Sequence, residues 1–138
     1  MDILSMSQIK PNEDLKEKTF MFLVKMMGFR NQLRMNHWQT TSYAEHKMTD
    51  ELLGVMDSNI DMVGEVALGL FERPQINTVS TNLSDIRIAS SKFVLEEICK
   101  ELQCLIEEYK VTSYEGMVTV LGDFCAEINK FKYLSTLE

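Results

Sequence analysis

The residues that could do chemistry gather in one stretch of this chain. Its two histidines are His37 and His46, and the acids Asp50, Asp61 and Glu65 follow on the same side of a helical pattern. His46 and Asp50 are four residues apart, as are Asp61 and Glu65, and on a helix each such pair shares a face. At 100° per residue, with Asp50 set to zero, His46 falls near −40°, Asp61 near +20° and Glu65 near +60°, an arc of about 100°. Two imidazoles with two or three carboxylates make a mixed nitrogen and oxygen ligand set. Such a set suits Fe(II), Mn(II) or Zn(II) better than calcium or magnesium, which prefer all-oxygen sites.

One helix cannot bring all four side chains to one ion, because Asp50 and Asp61 stand roughly 16 Å apart along the axis. The numbering points to the missing half. His46 and Glu65 share a midpoint between residues 55 and 56, and so do Asp50 and Asp61. Two copies of this helix crossing antiparallel at that midpoint would set His46 against Glu65 of the second copy, and Asp50 against its Asp61. This is the isologous contact of a twofold dimer, and it makes two identical sites. Gly54, beside the crossing point, would let the backbones approach closely. Each fragment also has a plainer reading: a solvated or capping His–Asp pair, and an acidic surface face. Asp57 lies on that face and has no place in the scheme.

The elements that must position these residues follow from capping and periodicity. Residues 1–12 read as an N-terminal arm, with Asn12 after Pro11 as the cap of a first helix over about 13–38. Leu15, Phe22, Met26, Phe29, Leu33 and Met35 give it an apolar stripe. Ser42 and Glu45 have capping-box spacing, which predicts a second helix from there to about Phe71. Residues 72–83 form the longest irregular stretch. Ser84 and Asp85 are expected to open a third helix reaching about Tyr109, and Thr112 with Glu115 a fourth, ending near Leu134. The fold class is therefore all-α: one four-helix domain over 13–138. The short first and third links make antiparallel pairs. The long middle link admits either a crossover to the far end or a local return.

The segment His37-Trp38-Gln39, followed by His46, Asp50, Asp61 and Glu65, resembles the Dps-type miniferritins of the DNA-protection-during-starvation family. There a His-Trp pair closes the first helix, and a histidine on the second is followed by acids four, fifteen and nineteen residues later. Asn129-Lys130-Phe131-Lys132-Tyr133-Leu134 is similar to the end of that family's last helix. The resemblance implies a ferritin-like bundle with a crossover between the second and third helices, and a twofold dimer through the second. It implies iron as the metal, with manganese or zinc as substitutes, oxidised by peroxide or dioxygen at ferroxidase sites between subunits. Asp50 and Glu65 would be the main carboxylate ligands. His37 and His46 would bind directly or through water, and Asp61 would support a second metal or a histidine. Trp38 matches the family's tryptophan that takes up oxidising equivalents. A twelve-subunit iron-storage shell is the family's assembly, although the interval before His46 and the middle link are shorter here. A rival expectation is a non-catalytic ferritin-like structural or interaction protein with a fixed metal or none.

Composition bounds the partners. The net charge is −7, which disfavours a sequence-independent grip on DNA phosphates and is compatible with attracting cations. Three cysteines, Cys99, Cys104 and Cys125, are too few for a disulfide framework and are expected as buried free thiols. There is no basic start followed by an apolar run, and no apolar stretch of roughly 20 residues. A soluble, cytoplasmic location is expected.

Overall fold

In the computed structural model, residues 3–137 are described, with side chains from Glu13 onward. Four helices make up the regular structure: α1 (Ile3–Gln39), α2 (Tyr43–Leu70), α3 (Ser91–Lys110) and α4 (Glu115–Leu134), with no strand among the described residues. The helical backbone begins at Ile3 and passes through Pro11, so Asn12 lies inside α1 instead of capping it. A proline forfeits one backbone hydrogen bond, but its φ is already helical.

Each helix buries positions spaced alternately three and four residues apart. On α1 these include Leu15, Thr19, Phe22, Met26, Leu33 and Asn36; on α2, Thr49, Leu53, Met56, Val63 and Ala67. On α3 they include Leu95, Ile98, Leu102, Leu105 and Tyr109; on α4, Met117, Leu121, Phe124, Ile128 and Phe131. This alternation keeps one seam per helix facing the bundle axis, the packing mode of four-helix bundles with shallow crossing angles. Full burial of a side chain such as Leu121 or Phe124 contributes about 1.5–3 kcal/mol. Helix α1 packs against α2 and α3, and α4 packs against the same two.

The ends of the helices correct three expectations. Ser42 does cap α2, accepting from Glu45 N, but the Glu45 carboxylate takes the Thr40 hydroxyl in place of the cap backbone. Helix α3 begins at Ser91 and not near Ser84. The Asp85 carboxylate is occupied by the Arg87 backbone and guanidinium, and Ser90 is the hydroxyl that accepts from Phe93 N. Thr112 does not cap α4. Its hydroxyl donates to the Tyr109 carbonyl at the end of α3 and accepts from Tyr114 N, and Tyr114 precedes α4 with no side-chain cap bond.

The link 71–90 lies along α1. Pro74–Val79 face Glu13–Met21 across a groove. Thr81 rests on Gly28, where a Cβ would come within 2.9 Å of its Cγ2. Further along, Gln32 donates to Ser84 O (2.7 Å) and accepts from Ser84 N (2.7 Å), and Gln39 accepts from Ile86 N (2.8 Å). Asn36, fully buried, donates to Ala89 O (2.8 Å) and lies 3.2 Å from Ser91 Oγ at the start of α3. Among the described residues no buried side-chain polar atom lacks a partner.

At the other end of α3, Tyr109 is buried against α1 and its hydroxyl shares a hydrogen bond with Thr19, which also donates to Leu15 O. Burial pushes the Tyr109 phenol up to about 12 against the Thr19 hydrogen bond, which lowers it.

Two outcomes are expected. Asn36→Ala strands the Ala89 carbonyl and lowers stability by about 2 kcal/mol. Amide exchange should then quicken through 81–90 more than in α4, and unchanged exchange there would show that other contacts hold the link. For Tyr109 the folded-state value exceeds the unfolded one near 10. Its stabilisation is therefore complete below pH 10 and is lost as pH rises towards 12. Tyr109→Phe should cost about 1 kcal/mol at neutral pH and flatten the alkaline limb of the stability curve, read by denaturant unfolding.

Candidate metal centre

His37 and His46 meet at the α1–α2 corner. The three-residue link 40–42, with Ser42 as cap, turns the chain back, so the last turn of α1 lies beside the first turns of α2. The two imidazoles stack with centroids 3.8 Å apart and planes 18° from parallel. His37 is buried at 8% exposure, whereas His46 stands on the exposed side. The carbonyl end of α1 favours a bound cation at this corner.

The hydrogen bonds set the tautomers. His46 Nδ1 lies 3.1 Å from the His37 carbonyl oxygen, which can only accept, so His46 carries its proton on Nδ1. Thr49 Oγ1 donates to the Glu45 carbonyl at 2.8 Å, so at 2.9 Å it accepts from His37 Nδ1. A neutral ring held this way carries its lone pair on Nε2, the form in which a histidine ligates metal while its other nitrogen is held by a carbonyl or hydroxyl. Thr49 was not legible as part of this centre. It reads as one more buried position of the α2 seam, and only the fold sets it against a residue twelve positions earlier.

The acids stand where the helical wheel put them. Asp50, Asp61 and Glu65 are all exposed on the outer face of α2, as are Gly54 and Met62. A side chain at Gly54 would meet nothing within 4 Å in this chain. Trp38 is 69% exposed beside the corner. Within one chain, among the described residues, no three His, Cys, Asp or Glu side chains converge. The chain brings His37 and His46 together and leaves Asp50, Asp61 and Glu65 spread along the face.

Asp57 now has a role. It accepts from Arg30 Nε at 2.9 Å and from the second guanidinium nitrogen at 3.2 Å, tying α2 to α1. This fork holds the Arg30 guanidinium above its usual range and sets Asp57 apart from the other acids of the face. At this exposure the pair is worth about 1 kcal/mol or less.

Residues 37–134 match a family of unknown function (DUF5856), and the chain belongs to that family. No curated protein and no solved structure matches it. No described helix is long and apolar enough to cross a membrane.

Thr49→Val tests the orienting role. It removes the acceptor for His37 Nδ1 and should cost about 1–3 kcal/mol. Long-range ¹⁵N–¹H spectra should show both rings as Nδ1–H in the parent, with only His37 losing that preference in the variant. An Nε2–H signature for His46 in the parent would contradict its bond to the His37 carbonyl.

Proposed function

We propose that this DUF5856 member is a ferritin-like, Dps-type iron-binding protein that oxidises Fe(II) at sites shared between two copies of the chain. The observation that carries the reading is the stacked His37–His46 pair, with both Nδ1 atoms engaged by hydrogen bonds. It sits at one end of a helix face bearing Asp50, Asp61 and Glu65. The alignment of the link 71–90 with α1 from Glu13 to Gln39 supports reading it as a ferritin-like crossover.

In this reading two copies pair antiparallel through α2 about residues 55–56. Asp61 and Glu65 of one copy then come to His37, His46 and Asp50 of the other. The open surface over Gly54 supports close approach there. Fe(II) is the substrate, with manganese or zinc able to compete for the same ligands. The carboxylates neutralise its charge and favour the ferric product, while neutral imidazoles leave coordination positions open. Two Fe(II) ions supply the two electrons that reduce one hydrogen peroxide, with two protons, to two waters. Trp38, exposed beside the corner, would accept a stray oxidising equivalent. Consuming Fe(II) and peroxide together gives a protective role in the cytoplasm. A closed shell of such dimers would store the ferric product.

The test is absorbance of ferric species after Fe(II) and peroxide are added to metal-stripped protein. Oxidation should exceed the protein-free rate, and His46→Ala and Glu65→Ala should each reduce it to that rate. Equal mixtures of the two variants, unfolded and refolded together, should regain roughly a quarter of the parent sites, because each heterodimer keeps one intact site. Parent protein no faster than buffer would sink the ferroxidase reading and leave a fixed-metal or structural role. Parent activity without recovery on mixing would sink the shared site alone.

A further inference from the structure

The α3–α4 hairpin carries two thiols that the proposed iron chemistry does not use. Its helices are joined by the short link 111–114, so positions equally far from that link face each other. Cys99 lies eleven residues before the last residue of α3, and Cys125 ten residues after the first of α4. They therefore stand at the same level of the hairpin, on the two sides of its seam. Cys99 is buried and Cys125 half-buried; Cys104, contrary to the expectation of three buried thiols, is exposed. Cys104 points outward because it sits off the α3 seam, in a groove with Lys18, Lys25 and Glu101.

Asn129, one turn beyond Cys125, joins the two thiols. The Cys99 thiol donates to Asn129 Oδ1 at 3.7 Å, and Asn129 Nδ2 donates to Cys125 Sγ at 3.7 Å. One carboxamide thus lies between both sulfurs and treats them differently. Cys125 receives an N–H from the carboxamide, whereas Cys99 gives its S–H to it. Burial pushes the Cys99 thiol up, with Lys132 opposing and Cys125 and Glu96 adding to the rise. The half-exposed sulfur is the one a peroxide reaches first, and the buried one follows.

We propose that Cys99 and Cys125 are a peroxide-sensitive redox pair whose disulfide staples α3 to α4. The Cys125 thiolate attacks one oxygen of a hydroperoxide. The O–O bond breaks, Cys125 becomes a sulfenic acid, and the other oxygen leaves with a proton as water or alcohol. Cys99 sulfur then attacks the sulfenic sulfur. The S–S bond forms, and hydroxide leaves with the Cys99 proton as water. In sum two thiols lose two hydrogens, and one hydrogen peroxide becomes two waters. The Asn129 side chain must swing aside so that the two sulfurs, each now 3.7 Å from its carboxamide, can close to a bond of about 2.05 Å.

The experiment treats the full chain carrying Cys104→Ser with hydrogen peroxide, then alkylates it under denaturing, non-reducing conditions. Both remaining thiols should be lost together, and the chain should lose two hydrogens in mass. Digestion should yield one peptide joining Cys99 to Cys125, and the oxidised protein should melt at a higher temperature than the reduced one. In Cys99→Ser, Cys125 should stop at the sulfenic acid, trapped by a cyclic 1,3-diketone. Two thiols that remain alkylatable would overturn the pairing. So would Cys125 oxidised to sulfinic acid while Cys99 stays free, or a bridge found only between chains.

Discussion

Two buried carboxamides on α1 hold the rest of the structure in register. Gln32 meets both backbone groups of Ser84, and Asn36 takes the Ala89 carbonyl and approaches the Ser91 hydroxyl. A link of this length would otherwise have many low-energy paths, and closing it costs little extra entropy whichever path it takes. What selects one path is the cost of burying amides and carbonyls without partners. Because Asn36 reaches the first residue of α3, the same contact sets where that helix starts. Gly28 allows Thr81 to lie close to α1 a little earlier along the link.

His37 immediately follows Asn36, so the polar seam and the histidine pair share one turn of α1. In the buried run Gln32, Asn36, His37 and Thr49 no fully buried side-chain polar atom lacks a partner. Its rigidity reaches the imidazoles through short bonds: Thr49 to His37 Nδ1, and the His37 carbonyl to His46 Nδ1. A ring fixed in this way presents its second nitrogen without having to be ordered on binding. The scaffold and the candidate centre are thus one hydrogen-bonded unit. The acids of α2 remain on the open face, where only a further partner could complete a coordination shell in the proposed reading.

Electrostatics separates residues that composition makes look alike. Four acids, Asp50, Asp57, Asp61 and Glu65, share the outer side of α2, yet only Asp57 is engaged by a guanidinium fork. The thiols divide in the same way. Cys99 and Cys125 flank the α3–α4 seam around Asn129, and Cys104 faces outward between two lysines.

The chain's own pattern determined the number of helices, the buried positions Leu15, Phe22, Met26 and Leu33 of α1, the ends of α2 and α4 near Phe71 and Leu134, and the face on which His46, Asp50, Asp61 and Glu65 fall. These are local properties, set by helical periodicity and by which side chains water excludes. Tertiary structure decided what periodicity cannot carry. Ser84, Asp85 and Thr112 all have the chemistry of a helix cap, but the Ser84 backbone is held by Gln32, the Asp85 carboxylate by Arg87, and the Thr112 hydroxyl by the Tyr109 carbonyl. Asp57 was indistinguishable from its neighbours until Arg30 came within reach from another helix, and Thr49 was only a core position until His37 faced it. For Ser84, Asp57 and Thr49 the partner comes from another element, so the choice depends on residues far along the chain; Asp85 and Thr112 instead take near neighbours, a competition that capping chemistry alone does not rank.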